Sequence, residues 1–178
     1  AVQADTDLIV RTVLRSGAKK GDVLCVTGEL GGSLMGRHLD FMPRLDEACW
    51  IVKHGKVHAM IDISDGLARD AHHLAKESHV GICLDPISLP IAPDAHKAAR
   101  LSGRTATQHA LYDGEDYELL FCLPRRSAKA LLSRKDIPVR ITQIGEVVAE
   151  HGLFIKEEDG SRSPLEPGGW EHRFGDAH

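Results

Sequence analysis

The stretch Asp-Ile-Ser-Asp-Gly at residues 62–66 places two carboxylates and a hydroxyl group between an apolar run and a segment with helical periodicity. The apolar run at residues 57–61 predicts a strand, and Leu67, Ala71 and Leu74 recur at the spacing of one helix face. The sequence therefore predicts a strand end, a tight turn and a helix start, and this arrangement decides the fold.

The two carboxylates of this stretch allow two interpretations. Asp62 and Asp65 could hold Mg²⁺, because a hard cation prefers oxygen ligands and the positive end of the following helix favours a nearby phosphate. Alternatively, Asp62 could be the N-cap of the helix and Asp65 the acidic residue three positions later, as in a capping box. These residues alone do not decide between a metal site and a helix cap.

The amino-acid composition limits the class of protein to which the chain can belong. The chain has 178 residues, 42% of them hydrophobic and 27% charged, which is enough for one sizeable core. We therefore expect a single domain over residues 1–178. The formal net charge of -4 argues against a nucleic-acid or membrane surface, so we expect neither as a partner.

The cysteine pattern predicts the cellular compartment, and the first residue indicates whether the chain is part of a longer protein. Cys25, Cys49, Cys83 and Cys122 are widely spaced and form no CxxC pair, so we expect small buried thiols in a reducing compartment and a cytoplasmic protein. No segment has the uninterrupted apolar length of a membrane span. Residue 1 is not Met, and we expect the chain to be a piece of a longer protein.

Further strands and helices follow from apolar runs, periodicity and breakers. Strands are predicted at residues 23–26, 80–84, 119–123, 139–144, 147–148 and 153–155, and helices at residues 44–55, 93–101, 105–111 and 125–134. In the 44–55 helix, the expected apolar face contains Leu45, Ala48, Cys49 and Val52. The polar residues after Gly66, Asp70 among them, are expected mostly away from the buried face.

Three other stretches have competing interpretations. The glycine-rich residues 27–33 could cradle a phosphate or form a plain strand-to-helix turn, and they match neither the Walker pattern nor GxGxxG. The acidic residues 112–118 could be a solvated loop. His54 and His58 have HxxxH spacing, but Gly55 interrupts them and the HExxH context of a zinc site is absent.

The alternation of short strands with helices predicts the fold class. We expect an α+β fold, with helices packed on one mixed β-sheet. A doubly wound α/β fold of the Rossmann type is the alternative.

Four motifs in order resemble a known family. They are RSGAKKGD at residues 15–22, VTGELG at 26–31, MIDISDGL at 60–67 and GEDYELLF at 114–121. Together they resemble the C-terminal half of the thiamine-monophosphate kinases, within the superfamily related to aminoimidazole ribonucleotide synthetase. The ending GWEHRF at residues 169–174 is weakly similar to the end of that family.

The resemblance implies a fold, an activity and site residues. It implies the C-terminal domain of the synthetase-like fold and a two-domain enzyme that transfers the terminal phosphoryl group of ATP to thiamine phosphate with Mg²⁺. By resemblance, Asp62 and Asp65 help to hold Mg²⁺, and Ser64 and Arg15 contact the nucleotide. Glu115 and Trp170 are then expected on the thiamine side. Since phosphoryl transfer depends on positioning and charge neutralisation, no residue of this chain is expected to be a nucleophile.

The chain also departs from the family pattern. The acidic cluster of the family's N-terminal ATP-binding domain has no counterpart in this sequence, so we expect the chain alone to be inactive and the full-length form to be a homodimer. Asp113 stands where the family has a glycine. The alternatives are a sibling enzyme of the superfamily, such as a purine-pathway synthetase or hydrogenase-maturation factor, and a non-catalytic domain of the same fold.

Overall fold

A computed structural model describes residues 12–168 of the chain, so Trp170 lies outside the described residues. Seven strands form one sheet in the order β2-β4-β1-β5-β3-β6-β7. They are β1 (Asp22–Thr27), β2 (Ala59–Asp62), β3 (Gly81–Leu84), β4 (Leu119–Pro124), β5 (Ile141–Val148), β6 (Gly152–Lys156) and β7 (Arg162–Pro164).

The strand directions settle the fold class. Neighbouring strands run antiparallel except β3 and β6, which are parallel. This confirms a mixed sheet and the α+β class. The doubly wound alternative is wrong, because that fold requires a mostly parallel sheet.

Within residues 12–168, five helices accompany the sheet. They are α1 (Leu45–His54), α2 (Leu67–Ser78), α3 (Pro93–Ser102), α4 (Ala106–Tyr112) and α5 (Arg125–Leu132). Short 3-10 turns occur at Ser33–Met35, Arg37–Leu39 and Pro86–Ser88. The predicted helices are therefore all present, with ends shifted by up to two residues. No helix in the described part of the chain is long and apolar enough to cross a membrane.

Apolar side chains cover both faces of the sheet. Every residue of β1 is buried, and its side chains alternate between the two faces. Leu24 and Val26 belong to a core with α2 and α4. Val23 and Cys25 belong to a second core that includes Ile51 of α1 and Leu131 of α5. The predicted packing of helices on one sheet is confirmed, with helices on both faces.

Strand β5 corrects the prediction of a turn at Gly145. The residues predicted as two separate strands form one, and Gly145 lies within it opposite Leu24 and Leu84. A Cβ atom at Gly145 would lie 2.3 Å from the carbonyl oxygen of Cys83. The glycine therefore permits close approach of β3 rather than a reversal of the chain.

Helix α1 also differs from the prediction. Leu45 is 72% exposed and Cys49 is exposed, whereas Ile51 is fully buried. The predicted face is wrong for Leu45 and Cys49 and right for Val52, because the helix meets the second core mainly through Ile51, with Trp50 and Val52 partly buried beside it. The other three cysteines are buried, as expected.

Candidate functional site

The loop at residues 62–66 joins β2 to α2 as predicted, but its carboxylates do not cap the helix. The N-cap is Gly66, with φ of 103° and no side-chain capping hydrogen bond. The Asp70 carboxylate instead accepts hydrogen bonds from the backbone N–H groups of Ser64 and Asp65, both at 3.0 Å. The capping interpretation of Asp62 and Asp65 is therefore wrong, because Asp70 reaches back from the first turn.

This arrangement leaves the two predicted metal ligands open. Asp62 and Asp65 are both exposed, and their carboxylates take part in no hydrogen bond or ion pair with another residue between 12 and 168. Asp70, in contrast, is only 3% exposed, although it was expected on the polar side of α2. The loop thus has one carboxylate that holds its backbone and two that face solvent.

Burial changes the acidity of Asp70. Desolvation raises the pKa of its carboxyl group to about 7. The two N–H donors oppose this shift, while the negative charges of Asp65 and Asp62 add to it. The folded chain therefore retains a proton at pH values where the unfolded chain, with an ordinary aspartate pKa, has released it.

Asp70 should make stability depend on pH in an unusual direction. Because the folded pKa lies above the unfolded one, the free energy of unfolding of the metal-free chain should fall as pH rises from about 4 to about 7. Between pH 5 and pH 8 we expect the Asp70 contribution to fall by about 2 kcal/mol. Urea unfolding in EDTA at both pH values, with Asp70→Asn against Asp40→Asn, measures it. An unchanged pH dependence in Asp70→Asn would contradict this assignment.

The acidic turn before β4 is largely buried rather than solvated. Asp113, Asp116 and Glu118 are 9%, 6% and 7% exposed. Asp116 accepts hydrogen bonds from Gly31 N–H, at 2.9 and 3.1 Å, and from the Arg37 guanidinium at 2.8 Å. The solvated-loop interpretation is wrong, because the partners of this turn come from about 80 residues earlier in the chain.

Asp113 is the centre of a second network. Its carboxylate accepts hydrogen bonds from Gly32 N–H at 3.1 Å, and it contacts His109 Nδ1 at 2.8 Å and Arg104 at 3.3 Å. On the other side of the ring, His109 Nε2 lies 2.7 Å from Ser102 Oγ. A His109 ring that donates from Nδ1 to Asp113 and accepts at Nε2 from Ser102 satisfies both contacts.

Glu118 connects a third segment of the chain, at Arg44, to the acidic turn through hydrogen bonds. Arg44 donates to both of its carboxylate oxygens, at 2.8 and 2.9 Å, and Thr27 Oγ1 donates to one of them at 2.6 Å. The same Thr27 hydroxyl accepts from Leu119 N–H at 2.8 Å. A bidentate pair of this kind fixes direction as well as distance, so residue 44 is held against the start of β4.

These networks explain the glycine-rich residues 27–33. The N–H groups of Gly31 and Gly32 already donate to Asp116 and Asp113. At Gly32, with φ of 73°, a Cβ atom would lie 2.4 Å from Ala95 N. The phosphate-cradle interpretation is wrong for these two groups, since carboxylates of the same chain occupy them. The plain turn is what the structure has.

The loop at residues 62–66 and the acidic turn lie against each other. Glu115 N–H donates to Ser64 O and Tyr117 N–H donates to Ile63 O, both at 2.8 Å. A Cβ atom at Gly114 would lie 2.7 Å from Ser64 O, so the glycine is needed for this approach. The structure therefore joins the backbone of the loop that contains Asp62 and Asp65 to the backbone of the turn that contains Glu115.

The remaining predicted positions are placed as follows. Arg15 is exposed and follows Leu14, whose carbonyl accepts from Met60 N–H of β2 at 2.9 Å. His54 contacts the Trp50 carbonyl and His58 contacts Asp22, so the two rings face different partners. Among residues 12–168, no group of three or more His, Cys, Asp or Glu side chains could hold a metal ion.

Sequence reasoning missed the residues that hold these loops in place. Arg37, Arg44, Asp70 and His109 each fix a loop through a partner described above. Only for His109 does the local sequence indicate the partner, because His109 lies four residues before Asp113 and so on the same helix face. Arg37 and Arg44 pair with residues 79 and 74 positions away, which no local pattern indicates.

Known proteins resemble this chain in sequence. A thiamine-monophosphate kinase of Rhodopirellula baltica is 42% identical over 159 residues, which are 89% of this chain and 50% of the relative. One from Methanospirillum hungatei is 39% identical over 85% of this chain and 51% of the relative. The chain thus spans about half the length of the curated relatives that it matches.

Solved structures agree with these relatives. The thiamine-monophosphate kinase of Aquifex aeolicus superposes with a TM-score of 0.69 at 34% identity, over 86% of this chain and 55% of the other. A structure described as AaThiL complexed with AMPPCP and TMP gives 0.71 at 33% identity, over 91% and 54%. The hydrogenase maturation protein HypE of Escherichia coli gives 0.69 at 21% identity, over 89% and 54%, which shows the shared fold alone.

The family itself is established by a match over most of the chain. The family described as AIR synthase related protein, C-terminal domain, matches residues 18–157. That range includes the loop at residues 62–66, the acidic turn and every strand except β7. The chain therefore belongs to the family described as AIR synthase related protein, C-terminal domain.

Proposed function

We propose that this chain is the C-terminal half of an ATP-dependent kinase that phosphorylates thiamine phosphate to thiamine diphosphate. The observation that supports the proposal is the backbone contact between the loop with the open carboxylates of Asp62 and Asp65 and the turn that contains Glu115. A kinase needs a metal-phosphate side and an acceptor side next to each other. The names of the relatives and the AMPPCP and TMP of the AaThiL structure support the choice of substrates.

The open carboxylates fit a magnesium ion. Asp62 and Asp65 offer oxygen donors that no described residue engages, and Mg²⁺ is commonly held by one or two carboxylates together with substrate phosphates. When bound, the ion would neutralise charge on the transferring phosphoryl group. Asp70 would keep the N–H groups of Ser64 and Asp65 in place, and so would fix where the two open carboxylates stand.

The nucleotide and the acceptor are assigned to opposite sides of this contact. We assign Ser64 and Arg15 to the nucleotide, and Glu115 and Trp170 to thiamine phosphate. Glu115 is partly exposed, and its backbone is fixed by Ser64 O on one side and by Ser33 Oγ, which donates to Glu115 O at 2.7 Å, on the other. A glutamate whose backbone is fixed and whose carboxylate is partly exposed is suited to bind a cationic or N–H-bearing group.

Glu115 should matter for the acceptor more than for the nucleotide. In the full-length enzyme, meaning this chain with the upstream half that its relatives have, we expect Glu115→Gln to raise the KM for thiamine phosphate by about 10-fold or more. The KM for MgATP should change little, because no nucleotide contact is assigned to this side chain. Steady-state kinetics with each substrate varied, against the exposed control Glu150→Gln, measures the difference. Equal damage to both KM values would instead indicate a structural or metal-linked role.

A product assay tests the proposal as a whole. The full-length enzyme should form thiamine diphosphate from thiamine phosphate and MgATP, detected by chromatography of the product. A panel of other phosphate acceptors should give a lower kcat/KM. ATP turnover with another acceptor and none with thiamine phosphate would point to a sibling enzyme. Absence of any ATP turnover would favour a non-catalytic domain.

We further propose a cytoplasmic homodimer for the full-length enzyme. The four cysteines are free thiols in this structure, and three of them are buried, which suits a reducing compartment. The net charge of -4 gives no general attraction to nucleic acid or to an anionic membrane.

A further inference from the structure

Residues 33–44, which we call the strap, run along the acidic turn and contact each of its residues 115–118. The side-chain pairs are His38 with Glu115 at 4.0 Å, Arg37 with Asp116 at 2.8 Å, Phe41 stacked on Tyr117, and Arg44 with Glu118 at 2.8 Å, and Ser33 Oγ also donates to Glu115 O. The strap is therefore fixed to the turn at each position, although it contains only two short 3-10 turns.

The aromatic contact of the strap is open to solvent. The ring centroids of Phe41 and Tyr117 lie 4.0 Å apart, with planes inclined by 23°. Phe41 is 41% exposed, Tyr117 is partly exposed, and neither ring belongs to the core on either face of the sheet. Large apolar side chains left at the surface beside a candidate site are typical of ligand contact.

The backbone below this pair is strained. Glu115 and Tyr117 have φ of 64° and 53°, in the left-handed region that residues other than glycine seldom adopt. Each such residue costs on the order of 1 kcal/mol and persists only where its surroundings hold it. The hydrogen bonds to Ser64 O and Ile63 O, together with the strap, hold these two. Such strain gathers at functional sites, where it directs side chains to a ligand.

The charge around the pair is negative. Partial burial, and then the charges of Glu115 and Asp62, raise the pKa of the Tyr117 phenol above its ordinary value. The guanidinium groups of Arg37 and Arg44 are each paired with another carboxylate of the turn, and the basic side chain nearest to Glu115 is His38, at 4.0 Å. The environment of the two rings therefore favours a cation.

We propose that the Phe41–Tyr117 pair is the face on which the positively charged ring of the acceptor substrate stacks, with Glu115 beside it. This rests on the proposed function, in which the acceptor is thiamine phosphate, whose thiazolium ring is flat and cationic. Aromatic faces attract such cations, the more so where water is excluded. Adenine is also flat but carries no charge, so the negative surroundings favour the acceptor over the nucleotide.

The test uses the full-length enzyme and variants that separate the aromatic face from apolar volume. Phe41→Leu removes the aromatic face and keeps an apolar side chain, and Leu39→Ala removes a 76% exposed side chain of the same strap as the control. For each variant, the KM for thiamine phosphate, for MgATP and for an uncharged thiophene isostere of thiamine phosphate is measured, with the thermal midpoint as a check on folding.

We expect Phe41→Leu to raise the KM for thiamine phosphate about 10-fold, with a smaller change for the uncharged isostere and little change for MgATP. Leu39→Ala should behave like the wild type. The proposal is overturned if Phe41→Leu matches Leu39→Ala, if the charged and uncharged acceptors lose equally, or if MgATP is the substrate affected. A wild-type enzyme that is inactive on thiamine phosphate would instead overturn the proposed function.

Discussion

Replacing Asp62 with asparagine in the full-length enzyme should lower kcat by about 100-fold or more and leave the thermal midpoint nearly unchanged. The side chain is exposed and takes part in no hydrogen bond or ion pair within residues 12–168, so its removal costs the fold little. If it holds Mg²⁺ against the ATP phosphates, its loss removes charge neutralisation where phosphoryl transfer needs it.

The same experiment separates the metal role from a structural one. Asp62 and Asp65 share the proposed ion, so the double variant should lose little more than the worse single variant. The exposed control Asp40→Asn should keep wild-type turnover. A second check is titration of activity with Mg²⁺, in which Asp62→Asn should need a higher concentration for half-maximal rate. Normal turnover with a lowered midpoint would rule out the metal role.

Asp70 makes a useful contrast to Asp62. Its carboxylate is buried and holds two backbone N–H groups of the loop, so Asp70→Ala should destabilise the chain as well as lower activity. Two aspartates eight residues apart thus have opposite roles, one in the loop backbone and one facing solvent. The sequence shows both as acidic residues near Gly66 and does not distinguish them.

Much of the fold was predictable because local sequence patterns indicate where its strands and helices lie. The apolar run at residues 23–26 lies inside β1, and the spacing of Leu67, Ala71 and Leu74 gives the buried face of α2. Proline residues such as Pro124, which is the last residue of β4, indicate where elements end. These features need no knowledge of distant partners, since burial and periodicity act along the chain itself.

The acidic turn shows what local patterns cannot supply. A run of carboxylates before a strand looks solvated unless its partners are known, and here they lie in the loop after β1 and in the strap. Asp116, for example, needs Gly31 N–H and Arg37, which are 85 and 79 residues away. The resemblance to the kinase family identified this turn as part of a site, but the burial of its carboxylates appears only in three dimensions.

Gly114 is likewise a residue whose role only the three-dimensional structure explains. Gly114 is part of the GEDYELLF motif, and the sequence gives no physical reason for it. The structure does, because any side chain there would meet the carbonyl of Ser64 and separate the two loops. The motif and the loop at residues 62–66 therefore lie in direct contact, and Gly114 is the residue of the motif that allows it.

Residues 1–178 alone should fold cooperatively and yet form no detectable thiamine diphosphate. Apolar cores on both faces of a seven-stranded sheet support a single cooperative unfolding transition. The proposed metal side, however, has only Asp62 and Asp65 to offer, and ATP is strongly anionic while the chain carries a net charge of -4. We expect MgATP binding weaker than about 1 mM, because neutralisation of the triphosphate would need groups from the upstream half.

Three measurements on the isolated chain check this expectation. Differential scanning calorimetry should show one transition, and isothermal titration with MgATP should show little heat. Product chromatography should find no thiamine diphosphate until the upstream half is supplied, in the same chain or in trans. Micromolar affinity for MgATP or measurable turnover by residues 1–178 would mean that the catalytic groups lie within this chain. In that case the contact between the loop at residues 62–66 and the acidic turn would be sufficient for catalysis by itself.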